Sequence, residues 1–128
     1  MRDAPTTILE PVPVSVARSV RAARTESVRT RLRRQRAFRV AQLAELDDLR
    51  AGASAGPRAP GRRDEVHAVL RVAAGAALRD IDAALRRLDD GTYGWCTECG
   101  GRLSRQRLDA VPSASLCQHC HLQVRRAR

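Results

Sequence analysis

Residues 96–120 read CTECGGRLSRQRLDAVPSASLCQHC, and the two Cys-x-x-Cys pairs that bound this stretch hold every cysteine of the 128-residue chain. Two thiolates three positions apart on a tight turn can both point at one metal ion, at about 2.3 Å for Zn²⁺, and a second such pair completes a tetrahedron. The 17 residues between Cys99 and Cys117 suit a four-cysteine zinc site. Such a turn needs a permissive residue just after its second cysteine, where the backbone folds back to aim amides at the sulfurs. Gly100 and Gly101 stand there. The expectation is one structural Zn²⁺ on Cys96, Cys99, Cys117 and Cys120, because four thiolates leave no open position for water or substrate. His119 and His121 flank Cys120 and are read as residues around the site rather than ligands, since four cysteines already fill it.

The competing use of four cysteines is a pair of disulfides in a small secreted domain. Met1 to Glu10 is short, mixed in character and interrupted by proline, unlike an apolar signal segment, so a reducing, cytoplasmic setting and zinc are expected. No stretch approaches the ~20 apolar residues of a membrane span, so no membrane association is expected. One Trp, one Tyr and one Phe cannot build a large aromatic core, and an elongated shape is expected. All 24 basic residues are arginine; the net charge of +10 becomes about +8 once four thiolates (−4) and Zn²⁺ (+2) are included, which points to an acidic partner surface.

Upstream of the cysteines, the stretch from Asp64 to Asp90 has apolar residues Val66, Leu70, Ala74, Leu78, Ile81, Leu85 and Leu88, spaced by 4, 4, 4, 3, 4 and 3, as in a helix with one buried seam. Asp64 and Glu65 lie at its start, where the helix dipole favours negative charge. Gly91 follows its end, in place to terminate it. From Ser27 to Arg50 glycine and proline are absent, and Val28, Leu32, Val40, Leu43 and Leu46 recur on one helix face. Arg36 interrupts that stripe; its stem can cover apolar surface while its guanidinium reaches water. Between the two helices, Ala51 to Arg63 is rich in glycine and proline and reads as a turn. Residues 1 to about 26, with Pro5, Pro11 and Pro13 and no sustained period, read as a flexible arm.

Two helices of similar length joined by a short turn can hide their seams by folding antiparallel. The first carries seven arginines against three acids and the second four against six, so they attract. The fold class is therefore mainly α: an antiparallel coiled-coil hairpin over residues 27–90, then a small four-cysteine zinc finger with a C-terminal helix and a basic tail over 91–128. Twenty-four residues of helix give a rod of roughly 36 Å. The arginines at 29, 31, 33, 34, 36 and 39 and those of the tail admit two readings: a solvated face, or a contact with nucleic acid or an acidic protein. No aromatic residues are interleaved among them for base stacking.

The run Ala84-Leu85-Arg86-Arg87-Leu88, then Gly91-Thr92-Tyr93-Gly94-x-Cys96-x-x-Cys99-Gly100, then Arg107-Leu108-Asp109-Ala110-Val111-Pro112 and Cys117-x-x-Cys120, closely resembles the DksA/TraR family of bacterial zinc-finger proteins. The resemblance covers about Ile81 to His121 at motif level, and the preceding hairpin matches the family's architecture. Tyr93 is expected to pack the finger against the second helix, and Tyr93, Leu103, Leu108 and Leu116 to form the finger's small core. The resemblance implies binding of RNA polymerase, with the hairpin inserted into the secondary channel to change initiation, often together with ppGpp. Family members carry acidic residues at the hairpin tip, typically Asp-x-x-Asp-x-Ala, that act near the catalytic magnesium. Here the turn from Ala51 to Arg63 has no acid; Arg58, Arg62 and Arg63 make it basic, and Asp64 and Glu65 are the nearest carboxylates. These five residues are the candidate partner contacts. The expected function is a monomeric, non-enzymatic transcription regulator that binds RNA polymerase, with altered tip activity. The alternative is a basic zinc-ribbon module that binds DNA or RNA directly through the arginine-rich first helix. A third reading is a small adaptor whose finger binds another protein. Nothing resembles a nucleophile–base pair or a phosphate-cradling glycine loop.

Overall fold

The computed structural model describes residues 11, 13–53, 59 and 61–127. Four helices follow one another: α1 (Val14–Ala53), α2 (Arg62–Asp90), α3 (Arg105–Ala110) and α4 (Gln118–Arg126). Among the described residues the only β pairing is an isolated antiparallel bridge between Trp95 and Arg102. The mainly α hairpin, followed by a cysteine finger with a C-terminal helix, is the architecture expected from the seams and the breakers between them.

Helix α1 and helix α2 pack antiparallel in one register. Arg29 pairs with Asp89 at 2.7 Å, Arg36 with Asp82 at 2.7 Å and Arg71 with Asp47 at 2.9 Å. In each pair the two residue numbers sum to 118, so no residue is skipped along this length. The charge asymmetry between the helices is thus spent on bridges along one flank. Arg36 differs from expectation: instead of reaching only into water, its guanidinium is held by Asp82 across the seam.

The buried positions trace a seam that differs from the apolar list. On α1, Leu32 and Leu46 are buried, and Thr25, Val28, Gln35, Arg39 and Gln42 are half-buried between and beside them, a 3–4 alternation from Thr25 to Leu46. Val40 falls outside it and is exposed. On α2, Ala74, Ile81 and Ala84 are buried and Leu78 and Leu85 half-buried, whereas Val66 and Leu70 are exposed. Near the tip His67 takes the inward position, its Nε2 donating to the Leu46 carbonyl. The one fully buried large side chain, Leu32, packs with Ile81 and Ala84, flanked by Val28, Leu85, Leu88 and Tyr93.

Two boundaries move. Residues 14–26 are helical rather than a separate arm, so α1 is 40 residues long. Proline stops at Pro13, whose fixed φ suits a helix start, and the Pro13 carbonyl accepts the Ala17 N–H at 3.0 Å. Beyond it the chain is rich in alanine and arginine, both strong helix formers. The expected arm's remaining residues, 1–10 and 12, lie outside the described residues. The turn is also shorter than the breaker cluster: α1 runs on through Ala51–Ala53 and α2 begins at Arg62. Helix α2 ends on Gly91 at φ 75°, where a side chain would be strained, and the Thr92 and Tyr93 amides return to the Arg87 carbonyl at 2.9 and 3.1 Å.

Candidate metal centre

Gly91 turns the chain off α2 into a finger built on two cysteine turns. In the first, the Cys96 N–H donates to the Gly101 carbonyl at 2.7 Å and the Gly100 N–H to the Cys96 carbonyl at 3.0 Å. Gly100 is at φ 71° and lets the Gly101 amide point back at Cys99 Sγ, 3.4 Å away. In the second, Cys117 caps α4, its sulfur accepting the Cys120 N–H at 3.4 Å. The Cys117 N–H in turn reaches Cys96 Sγ at 3.3 Å. These are the sulfur-directed amides expected of a cysteine turn.

The four sulfurs all lie within 4.8 Å of one another, with Cys99 Sγ and Cys117 Sγ 3.9 Å apart, and no disulfide joins them. A tetrahedron with Zn–S bonds of about 2.3 Å has S–S edges of about 3.8 Å. The donor set and its spacing therefore fit Zn²⁺. The electrostatics agree. Amides at Cys99 and Cys117 lower the Cys96 thiol to about 6, while hydrogen bonding to Cys117 and burial push Cys120 up to about 12. Four sulfurs this close cannot all carry charge unless a cation sits among them, and a divalent ion removes that repulsion. His119 is exposed and His121 half-buried, and neither belongs to the sulfur cluster.

The finger's own core is Cys96, Leu103, Ala114 and Cys120, with Leu108, Leu116 and Cys117 packed against it. Tyr93 does not join this core, as the sequence suggested; it sits in the hairpin cluster with Leu32 and Ile81. From there its hydroxyl donates to the Pro112 carbonyl at 2.7 Å, so Tyr93 does fasten the finger to the hairpin. Burial raises its pKa above the ordinary phenol value, with Arg87 opposing. Arg31 Nη2 donates to the Asp109 carbonyl at 2.8 Å, and Arg87 Nη2 reaches the Ser113 and Ala114 carbonyls at 3.4 Å. Burial lowers the Arg87 pKa, and its Nε is buried without a hydrogen-bond partner. Arg107 ties α3 to the second turn through the Leu116 carbonyl at 2.6 Å and Gln118 Oε1 at 3.2 Å. These arginine-to-carbonyl ties escaped sequence reasoning, since nothing in a sequence says which carbonyls lack a partner.

At the other end of the hairpin, Arg62, Arg63 and Glu65 are exposed and Asp64 is half-buried. Asp64 closes the start of α2, its carboxylate accepting the Gly61 N–H at 2.8 Å. Arg58 lies outside the described residues. In the first helix, Arg29 and Arg36 are held by cross-helix carboxylates, Arg31 by the Asp109 carbonyl and Arg39 by Gln42 at 2.9 Å, so most of that arginine cluster is engaged within the fold.

No family model matches the chain. An uncharacterized protein of Aquifex aeolicus is 43% identical over 51 residues, 40% of this chain and 35% of its own length. The RNA polymerase-binding transcription factor DksA of Caulobacter vibrioides is 50% identical over 39 residues, 30% of this chain and 28% of its own length. The chain thus matches about a third of the length of these curated relatives. The solved structure of transcription factor DksA2 from Pseudomonas aeruginosa superposes with a TM-score of 0.63 at 29% identity, covering 82% of this chain and 85% of that one. The chain is thus similar in local sequence to DksA proteins, shares the hairpin-and-finger architecture of DksA2 over most of its length, and gathers four cysteines as a zinc finger requires.

Proposed function

We propose that this protein binds one structural Zn²⁺ through Cys96, Cys99, Cys117 and Cys120, and docks on RNA polymerase through its helical hairpin as a non-enzymatic regulator of initiation. The observation that carries this reading is the pairing of a registered hairpin with a finger fastened to its base, in the arrangement of DksA2. Zinc holds the two cysteine turns together; Tyr93, Arg31 and Arg87 transmit that rigidity to the hairpin base. The far end of the rod is then free to enter a channel such as the polymerase secondary channel.

The tip is where this chain parts from the family it resembles. Asp64 is occupied as the cap of α2 and the residues around it are basic, so Glu65 is the exposed carboxylate at that end. Arginines there are repelled by a catalytic magnesium and drawn to phosphate or to channel carboxylates. The protein therefore binds polymerase but affects initiation differently from acidic-tip relatives. The test pairs a direct polymerase-binding measurement with in vitro transcription on several promoters, using wild type, Glu65→Gln, and Asp64→Asn with Glu65→Gln. Strong wild-type regulation that is abolished in Glu65→Gln, with binding intact, refutes the altered tip; absence of polymerase binding refutes the docking itself. Glu65→Gln alone separates tip chemistry from loss of the Asp64 cap.

A further inference from the structure

The first turns of α1 extend beyond the hairpin. Arg29 already pairs with Asp89, next to the last residue of α2, so residues 14–27 run on past the hairpin base. There they form one wall of a trough of about 460 Å³ whose other wall is the finger. Arg21, Arg24 and Arg31 line it from α1, and Arg102 and Arg105 from the finger. Asp109 is the one acid that lines it, which leaves the trough at +4. None of the five arginines is paired with a carboxylate among the described residues. Arg31 spends one donor on the Asp109 carbonyl, and Arg102 lies 5.0 Å from the centre of the Trp95 ring; both keep their charge and further N–H groups.

We infer that this trough binds the phosphodiester backbone of single-stranded nucleic acid. Five like charges facing one space repel one another, an arrangement that a polyanion relieves. Guanidinium forks match phosphate oxygens two at a time. Arg21 to Arg31 spans ten residues, about 15 Å of helix, which several successive phosphates can follow and a single carboxylate cannot bridge. The trough's volume of about 460 Å³ is small beside a duplex, which favours a single strand as the polyanion that enters it. Trp95 does not line the trough and has Arg102 over its ring, so the contact is made to the backbone and not to the bases. This site is distinct from the hairpin tip and does not depend on polymerase binding.

The test is fluorescence anisotropy of the full-length, zinc-loaded protein with a labelled mixed-sequence single-stranded 20-mer over a range of salt. Four engaged phosphates give a slope of log K against log salt of about −3. Arg24→Gln with Arg105→Gln removes one charge from each wall and brings the slope to about −1.5. Arg33→Gln with Arg34→Gln, exposed on the same helix but away from the trough, leaves it unchanged. Arg21→Gln with Arg105→Gln is a second pair, and zinc content and helical circular dichroism check the fold of each. Equal losses in the trough and control variants overturn the proposal. So does displacement of the strand by polyglutamate of equal charge as readily as by unlabelled oligonucleotide, which marks an acidic polypeptide site. Duplex binding as tight as the strand, with the same losses, overturns the single-strand assignment.

Discussion

Leu32 is the residue on which the junction of hairpin and finger turns, and replacing it with alanine tests that junction. Its side chain is fully buried against Ile81 and Ala84, with Tyr93 in the same cluster. The substitution removes three carbons, about 2.4 kcal/mol at about 0.8 kcal/mol per buried methylene. A residual cavity adds to this, but a two-helix rod can close part of the gap, so the cost falls in the lower half of the usual 2–5 kcal/mol range, about 3 kcal/mol. For a domain of this size that lowers Tm by on the order of 12 °C or more. The assay is thermal unfolding of zinc-saturated protein followed by circular dichroism, with Phe38→Ala as comparison. Phe38 is the larger apolar residue but is 63% exposed, so its removal costs within about 0.5 kcal/mol. A Leu32→Ala cost below about 1 kcal/mol, or one equal to that of Phe38→Ala, refutes the placement of the core.

Cys99→Ser leaves three thiolates, so the purified protein is expected to fall from near one zinc per chain to well below it and to lose the finger, while much of the α1–α2 helical signal persists; metal analysis and circular dichroism read both. A double-mutant cycle on Arg36→Ala and Asp82→Ala is expected to give a coupling of about 0.5–1 kcal/mol that shrinks in high salt, because both side chains are partly exposed, 47% and 31%. Gly91→Ala forces a side chain into the left-handed region and is expected to cost about 1 kcal/mol or more by chemical denaturation, although nothing lies within 4 Å of the added carbon. Tyr93→Phe removes the hydroxyl bond to the Pro112 carbonyl and is expected to cost about 1 kcal/mol and to loosen hydrogen exchange in the finger before the hairpin.

What a sequence states well is chemistry that local spacing alone enforces. The cysteine turns, the glycine at φ 71° behind the first of them and the glycine that ends α2 at φ 75° are of this kind, and each stands where the pattern placed it. The α1 seam was harder because its 3–4 alternation passes through Gln35, Arg39 and Gln42, polar residues that an apolar count skips in favour of exposed Val40. A two-helix rod covers each helix on one side only, so polar residues can hold seam positions with their ends in water. The N-terminal extension was missed for the opposite reason: residues 14–26 bury almost nothing, so no periodicity marks them, and they are helical through propensity and the lack of any breaker after Pro13.

The same distinction governs the tip. Charge sign along the turn is a sequence property, but which carboxylate is available there is a structural one. Asp64 and Glu65 are adjacent and alike in sequence, yet one accepts the Gly61 amide at the first turn of α2 and the other faces solvent. A carboxylate that closes a helix start gives up part of its capacity to bind a metal or a partner, because its oxygen is already committed and its position fixed. Beside Arg62 and Arg63, which are exposed, that leaves Glu65 as the uncommitted carboxylate of the adjacent pair, so a charge count along the turn overstates the acid on offer there.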